Sequence, residues 1–262
     1  MPNTASAILL SFDVEEFDIP LEYGCNLSLN EQMEMGRKGL NVISEILDIQ
    51  GIECTLFTTA NFAQHFPSKI LQLSNNHEIA SHTFYHSSFK KEDLKNSREV
   101  LEAVISKKVY GLRMPRMRKI DPAWIQEARY GYDSSLNPTW IPGKYNNLSS
   151  PRSVHWEKGL TVVPVSVSAN LRIPLFWLSF KNFPYWYYKK IALQSLKKDG
   201  HLCIYFHPWE FTNIDNYGLP IMVKRKFGDQ LVERLNKLIS DLKSEGNFIT
   251  FNRFLEHKKQ KS

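Results

Sequence analysis

The stretch Ala7-Ile8-Leu9-Leu10-Ser11-Phe12 runs straight into Asp13-Val14-Glu15-Glu16. Its first part has one hydroxyl and no charge, and it is too short for a buried helix. It therefore reads as a strand covered on both faces. The residues just past the strand decide between two α/β architectures. An open dinucleotide-binding sheet needs a glycine-rich phosphate loop after its first strand, and none stands here. Three carboxylates emerge instead at the strand tip, where a β/α barrel carries its chemistry.

Working outward, strand-like runs recur at residues 52–58, 78–81, 109–112, 160–165, 202–206 and 248–250. Amphipathic stretches separate them. Residues 31–49 place Met35, Leu40, Ile43 and Leu47 near helical spacing, and 92–106 opens on acids, as a helix start prefers. Residues 230–244 carry Leu231, Leu235, Leu238 and Leu242 in one stripe. Gly200 and Gly246 punctuate helix ends ahead of the next strands. About seven such alternations predict a parallel sheet with covering helices. At 262 residues without repeats, a closed or distorted β/α barrel in a single domain over 1–262 suits the pattern. Its core covers about residues 8–211, with a C-terminal strand and helices in 212–262.

Such a barrel should carry polar groups just after its strands, and it does. Asp13 to Glu16 come after the first run, and His82-Thr83-Phe84-Tyr85-His86 come after residues 78–81. Arg113-Met114-Pro115 come after 109–112, and His207-Pro208-Trp209-Glu210 after 202–206.

Composition narrows the function classes. A hydrophobic content of 42% with 23% charged residues supports an ordinary globular core. The net charge of +6 gathers partly in His257, Lys258, Lys259 and Lys261, which read as a solvated end. No nucleic-acid motif accompanies it, so no nucleic-acid partner is expected. Cys25, Cys54 and Cys203 are odd in number and widely spaced. Cys54 and Cys203 sit in strand-like runs and read as buried free thiols, with no disulfide framework. The opening residues lack the positive start of a signal peptide, and no span reaches transmembrane length. A cytoplasmic location is expected.

Two histidines four apart, His82 and His86, share one face if the chain turns helical there. Two imidazoles with one carboxylate make an open-sided site for a catalytic divalent ion; the alternative is a pair of packed or exposed histidines. Alternation along an extended chain turns Asp13 and Glu15 to one side and Glu16 to the other. One carboxylate there can ligate a metal, and a second can take a proton from water. Arg113 beside Asp13 would hold that acid ionised, and Pro115 keeps Met114 extended. His207 has a natural pKa suited to passing a proton. Phe183, Tyr185, Trp186, Tyr187 and Tyr188, with Trp177 and Phe180 upstream, read mostly as the core face of a helix. Trp209 and Trp140 read as the substrate rim.

In this order, these pieces resemble the polysaccharide deacetylase family, also called carbohydrate esterase family 4. The resemblance covers about residues 8–211 and rests on four short motifs. These are Ser11-Phe12-Asp13-Val14-Glu15, His82-Thr83-Phe84-Tyr85-His86, Arg113-Met114-Pro115 and Tyr205-Phe206-His207. Phe206-His207-Pro208-Trp209-Glu210-Phe211 and Tyr132-Asp133-Ser134-Ser135 are similar to exopolysaccharide-associated members.

The resemblance implies a distorted (β/α)7 barrel that removes N-acetyl (or O-acetyl) groups from a glycan or N-acetylated sugar. Asp13 would be the general base, Arg113 its orienting partner and His207 the general acid. Glu15, His82 and His86 would bind a divalent metal, Zn²⁺ first, with Co²⁺ or Ni²⁺ next. Pro115, Arg116, Tyr205, Trp209 and Trp140 would meet substrate. The chain departs from the pattern at three points. Val14 stands where the family has a second aspartate, which moves the ligand to Glu15. The segment Pro164-Val165-Ser166-Val167-Ser168 offers no acid for the fourth motif, leaving Asp133 or Glu210 to tune His207. Arg116 stands where the third motif often ends in tyrosine. The competing readings are a cyclic-amide hydrolase of the allantoinase type and an inactive carbohydrate-binding domain.

Overall fold

Strand β1 (Ser6–Val14) organises the sheet. One edge pairs in parallel with β10 (His201–Phe206), from Ala7 opposite His201 to Phe12 opposite Phe206. The other edge is shared. Its tip, Ser11 to Val14, pairs with β2 (Thr55–Thr58), and its base, Ser6 to Ile8, pairs with β11 (Gly246–Phe248). From β2 the sheet continues through β3 (Glu78–Ser81), β4 (Gly111–Leu112) and β5 (Tyr132–Asp133) to β9 (Leu160–Val162), every step parallel. β8 (His155–Glu157) turns back on β9, and β6 (Trp140–Ile141) pairs with β7 (Tyr145–Asn146) in a separate hairpin. These strands belong to a computed structural model that describes residues 6–260. Residues 1–5 of the opening stretch and Lys261 of the basic tail lie outside the described residues.

The sheet curls until its two ends approach. Beyond β9, the Ser166 N–H donates to the Cys203 carbonyl, and the Cys203 N–H donates to Ser166 Oγ, each at 2.9 Å. Two bonds there take the place of a ladder, and the result is the expected single-domain α/β fold with a curled half-barrel sheet. In chain order the helices are α1 (Leu29–Gln50), α2 (Ala60–His65), α3 (Pro67–Leu73), α4 (Glu92–Ile105), α5 (Pro122–Glu127), α6 (Trp177–Asn182), α7 (Tyr185–Asp199), α8 (Ile221–Lys224), α9 (Asp229–Lys243) and α10 (Phe251–Lys259). Among the described residues, no helix is long and apolar enough to cross a membrane.

Alternation along β1 sorts its side chains into two cores. Ile8, Leu10, Phe12 and Val14 join the layer between sheet and helices, where α1 adds Leu40, Ile43 and Leu47. Ala7 and Leu9 face the barrel interior with Phe57, Tyr132 and Cys203. α10 plugs the base of that interior: Phe251 stacks on Tyr132 and meets Phe57 edge-on at 5.4 Å between ring centres. α1 begins at a capping box in which Ser28 and Glu31 serve each other's backbone, a device worth about 1 kcal/mol.

The fold departs from the simple alternation at one place. The stretch between β5 and β9 builds hairpins where the alternation predicts a covering helix, and that irregular insertion reaches the mouth of the barrel. All three cysteines are free, with Cys54 and Cys203 buried.

Candidate active site

Asp13 and Glu15 leave β1 on the interior side, while Val14 between them packs into the helix layer. The valine therefore sits where an acid would be buried among hydrocarbon, and the next inward position, Glu15, supplies the carboxylate. Glu16 turns away, accepting from Thr59 Oγ1 at 2.9 Å and Asn61 Nδ2 at 2.5 Å.

Asp13 Oδ1 accepts from Arg113 Nη1 at 2.7 Å. The guanidinium is fully buried, 4.0 Å from the Phe57 ring centre and 4.9 Å from that of Tyr205, and it also donates to Ser11 Oγ and Ser134 Oγ. With both neighbours locked, the Asp13 carboxylate has one orientation.

Glu15 Oε2 lies 3.1 Å from Nε2 of both His82 and His86, and it receives no hydrogen bond among the described residues. Each ring uses its other nitrogen elsewhere. His82 Nδ1 donates to the Arg113 carbonyl at 2.8 Å, and His86 Nδ1 donates to Asp18 Oδ1 at 2.7 Å. Those acceptors hold the protons on Nδ1 and leave both Nε2 atoms for a ligand. Burial opposes charging His86, but Glu15 and Asp18 outweigh it and raise its pKa to about 9. Burial also opposes ionising Glu15, yet His86, His207 and His82 hold its carboxyl far below the ordinary value. A buried carboxylate oxygen without a donor, facing two imidazole nitrogens with all three ligand atoms within 4.8 Å, fits a divalent cation.

The pair meets by a route other than the expected helix. Residues 82–91 form a loop, and Thr83 at φ 64° bends it so that the two rings stack at 5.7 Å between centres.

His207 follows β10 and completes the floor of a cavity of about 470 Å³ that Asp13, Glu15, His82 and His86 also line. Its size is in the range of small-molecule sites.

A sequence profile described as polysaccharide deacetylase matches residues 37–134. Similar solved structures include a candidate polysaccharide deacetylase from Mycobacterium smegmatis, at 18% identity over 100% of this chain and 93% of that one, with a TM-score of 0.64. Another is a candidate polysaccharide deacetylase from Pseudomonas aeruginosa PAO1, at 13% identity over 96% and 90%, with a TM-score of 0.65. The allantoinase Puue matches at 17% identity over 98% and 91%, also with a TM-score of 0.65. The profile points to the polysaccharide deacetylase family over residues 37–134, and the solved structures share the fold. No curated protein matches. At these identities the solved structures speak for the fold alone.

Of the two acids offered for tuning His207, Asp133 and Glu210, only Glu210 reaches it. Glu210 Oε1 stands 3.0 Å from His207 Nδ1 and accepts from the His207 backbone N–H at 2.8 Å. Its other oxygen lies 3.2 Å from Lys181 Nζ of α6. Burial opposes charging His207, but Glu15 and Glu210 raise its pKa. Asp133, the other candidate, only ties its own loop, accepting from the Ser135 N–H and Oγ.

The remaining predicted residues divide. Tyr205 and Trp209 line the cavity, and Trp209 stacks on His207 while donating to Glu15 Oε1 at 3.2 Å. Arg116, at φ 55°, lines it too, clamped by Glu22 and Asp18. Pro115 is buried at the start of the turn that presents Arg116 and Met117. Trp140 is 58% exposed and absent from the cavity wall; its neighbour Ile141 lines it instead, because successive strand residues face opposite ways.

Several site residues escape the sequence reading. Trp177, assigned to a helix core, packs edge-on to His207 at 5.1 Å. Asp18 and Lys181 carry no spacing signal. Gly36 and Gly39 of α1 admit the loops after β1 and β10: a Cβ at Gly36 would stand 2.7 Å from the Glu15 carbonyl oxygen, and one at Gly39 2.0 Å from that of Pro208. Two glycines three apart in an amphipathic helix are the signal that marks such a close approach.

Proposed function

We propose that this chain is a hydrolase that removes acetyl groups, N-acetyl first, from a carbohydrate. One observation carries the reading: an arginine-held aspartate and a glutamate-held histidine share one cavity floor with an orphaned carboxylate and two imidazole nitrogens. Glu15, His82 and His86 would hold the divalent ion, with zinc preferred by the nitrogen-rich donors. The bound ion would polarise the amide carbonyl and acidify a water.

This chain's own groups do the rest. Asp13, fixed by Arg113, takes the proton from the attacking water. A backbone N–H near Arg116 donates to the oxygen on which charge develops. His207 passes a proton from Nε2 to the departing amine, while Glu210 holds Nδ1. Trp177 and Trp209 flank the ring and keep water from it. The phrase from Phe206 to Phe211 suits an exopolysaccharide-associated role.

The test combines metal analysis with an acetate-release screen over N- and O-acetylated sugars. His82→Ala should lose metal and turnover together. His207→Ala should keep its metal while kcat falls about 10²- to 10⁴-fold. Metal-loaded wild-type protein that releases no acetate from any of them refutes the reading. Sugar binding without release would then point to an inactive binding domain, and opening of a cyclic amide to the allantoinase type.

A further inference from the structure

The wall of the cavity differs in chemistry from its floor. Phe176, Leu178 and Phe183 around α6, with Pro220, Met222 and Val223 around α8, line one side of it. The two segments act as one surface, because Asn182 Nδ2 donates to the carbonyls of Leu178 and Met222 at 2.8 and 2.9 Å. The wall begins at Trp177, which touches His207, the group that serves the departing amine. It runs outward to Met222, 52% exposed, and Ile221 beside it, 79% exposed.

Several polar side chains along the lining are already engaged within the protein, while Tyr23 and Lys144 stand exposed on it away from the α6–α8 wall. Arg116 binds Glu22, Asp18 and the His86 carbonyl, Ser179 Oγ donates to the Phe176 carbonyl, and the Tyr145 hydroxyl accepts from Asn137. A hydrophilic oligosaccharide laid along the α6–α8 wall would give up hydration and regain few hydrogen bonds there, because Ser179 and Asn182 are already bonded. An alkyl chain would lose nothing and cover apolar surface.

We infer that the substrate is an amphiphile: an N-acylated amino sugar whose aglycone is a long alkyl chain lying along the α6–α8 wall. The inference rests on the deacetylase reading above. The chain belongs to the aglycone rather than the acyl group because the wall adjoins His207, and the amine that His207 protonates keeps the sugar and its aglycone. In the reaction the water oxygen joins the acyl carbon, the C–N bond breaks and the proton goes to nitrogen. Acetate leaves, and the chain stays on the amine product.

The test compares methyl, butyl and octyl glycosides of N-acetylglucosamine, the N-octanoyl methyl glycoside and tri-N-acetylchitotriose, all below micellar concentrations, with metal-loaded protein. Calorimetric binding is measured beside turnover. kcat/KM should rise about fourfold per methylene buried on the wall, so octyl with only about half of its added methylenes on the wall should exceed methyl by about a hundredfold. Leu178→Asn and Met222→Asn should flatten that dependence. Equal values for methyl and octyl, or a preference for chitotriose, overturn the amphiphile and leave the deacetylase reading intact. A gain in the N-octanoyl compound instead overturns the aglycone assignment. Tight octyl binding with no hydrolysis of any compound supports the wall and overturns the deacetylase reading. Equal weak binding without hydrolysis overturns both.

Discussion

Lys181 Nζ lies 3.2 Å from Glu210 Oε2, and neither side chain is reached by solvent. Burial pulls the Lys181 pKa down and pushes against ionisation of Glu210, whose carboxyl is nevertheless held low by Lys181 and His207. The lysine thus keeps Glu210 a carboxylate, and Glu210 in turn keeps His207 protonated at Nδ1. Lys181→Met should cost about 3 kcal/mol by stranding a buried charge, and kcat should fall at least about tenfold with metal content unchanged. Lys181→Met/Glu210→Gln should recover stability but not kcat. Denaturant melts, metal analysis and the ¹⁵N signature of the His207 ring separate these outcomes; full activity in the double variant would refute the positioning role.

A methyl group at Gly39 has no room, because the Pro208 carbonyl oxygen stands 2.0 Å from where it would go. Gly39→Ala should force the His207 loop outward, cost about 1–3 kcal/mol and lower kcat while the metal stays. An unchanged melting temperature and kcat would show that the loop yields freely.

Protons and metal compete at the Glu15–His86 pair. In metal-free protein the His86 pKa is raised from 6.5 to about 9, so its stabilising effect is complete below pH 6.5 and fades as pH climbs to about 9. Glu15 has a depressed pKa, so its effect is present above pH 4.5 and fades as pH falls. Chelated protein should therefore lose stability from pH 6.5 to 9, while metal affinity rises over the same interval, about tenfold per unit for one displaced proton. Denaturation of chelated protein and competitive metal titration across that range check both slopes, which must be opposite.

Phe251 stacks on Tyr132 at the base of the barrel, far along the chain from the motifs. Phe251→Ala should cost about 3–5 kcal/mol and leave kcat of the folded fraction near wild type, measured by thermal melting beside active-site titration.

The fold's long elements are legible in one dimension. β1 as far as Phe12 and β10 from Leu202 show as uncharged runs because both faces are buried, and α1 and α9 show as stripes because one face is. β5 spans two residues, too short for any period to show, and the hairpins before β9 obey no pattern at all. At the site, Asp13, Glu15, His82, His86, Arg113 and His207 are legible because each lies at the tip of a strand or in the loop that follows it. Trp140 fails on side-chain direction, which a hairpin's register decides. Trp177 fails because a helix core and a cavity wall look alike in sequence.

The chain determines by itself a parallel α/β core and a set of acids, imidazoles and an arginine at strand ends, since burial and alternation are local rules. Which of those groups meet is a tertiary matter. A left-handed turn at Thr83 brings two rings together, two glycines let α1 approach the loops, and a lysine from α6 reaches a glutamate beyond β10. These contacts join residues far apart in the chain, and only the closing of the sheet sets the distances between them.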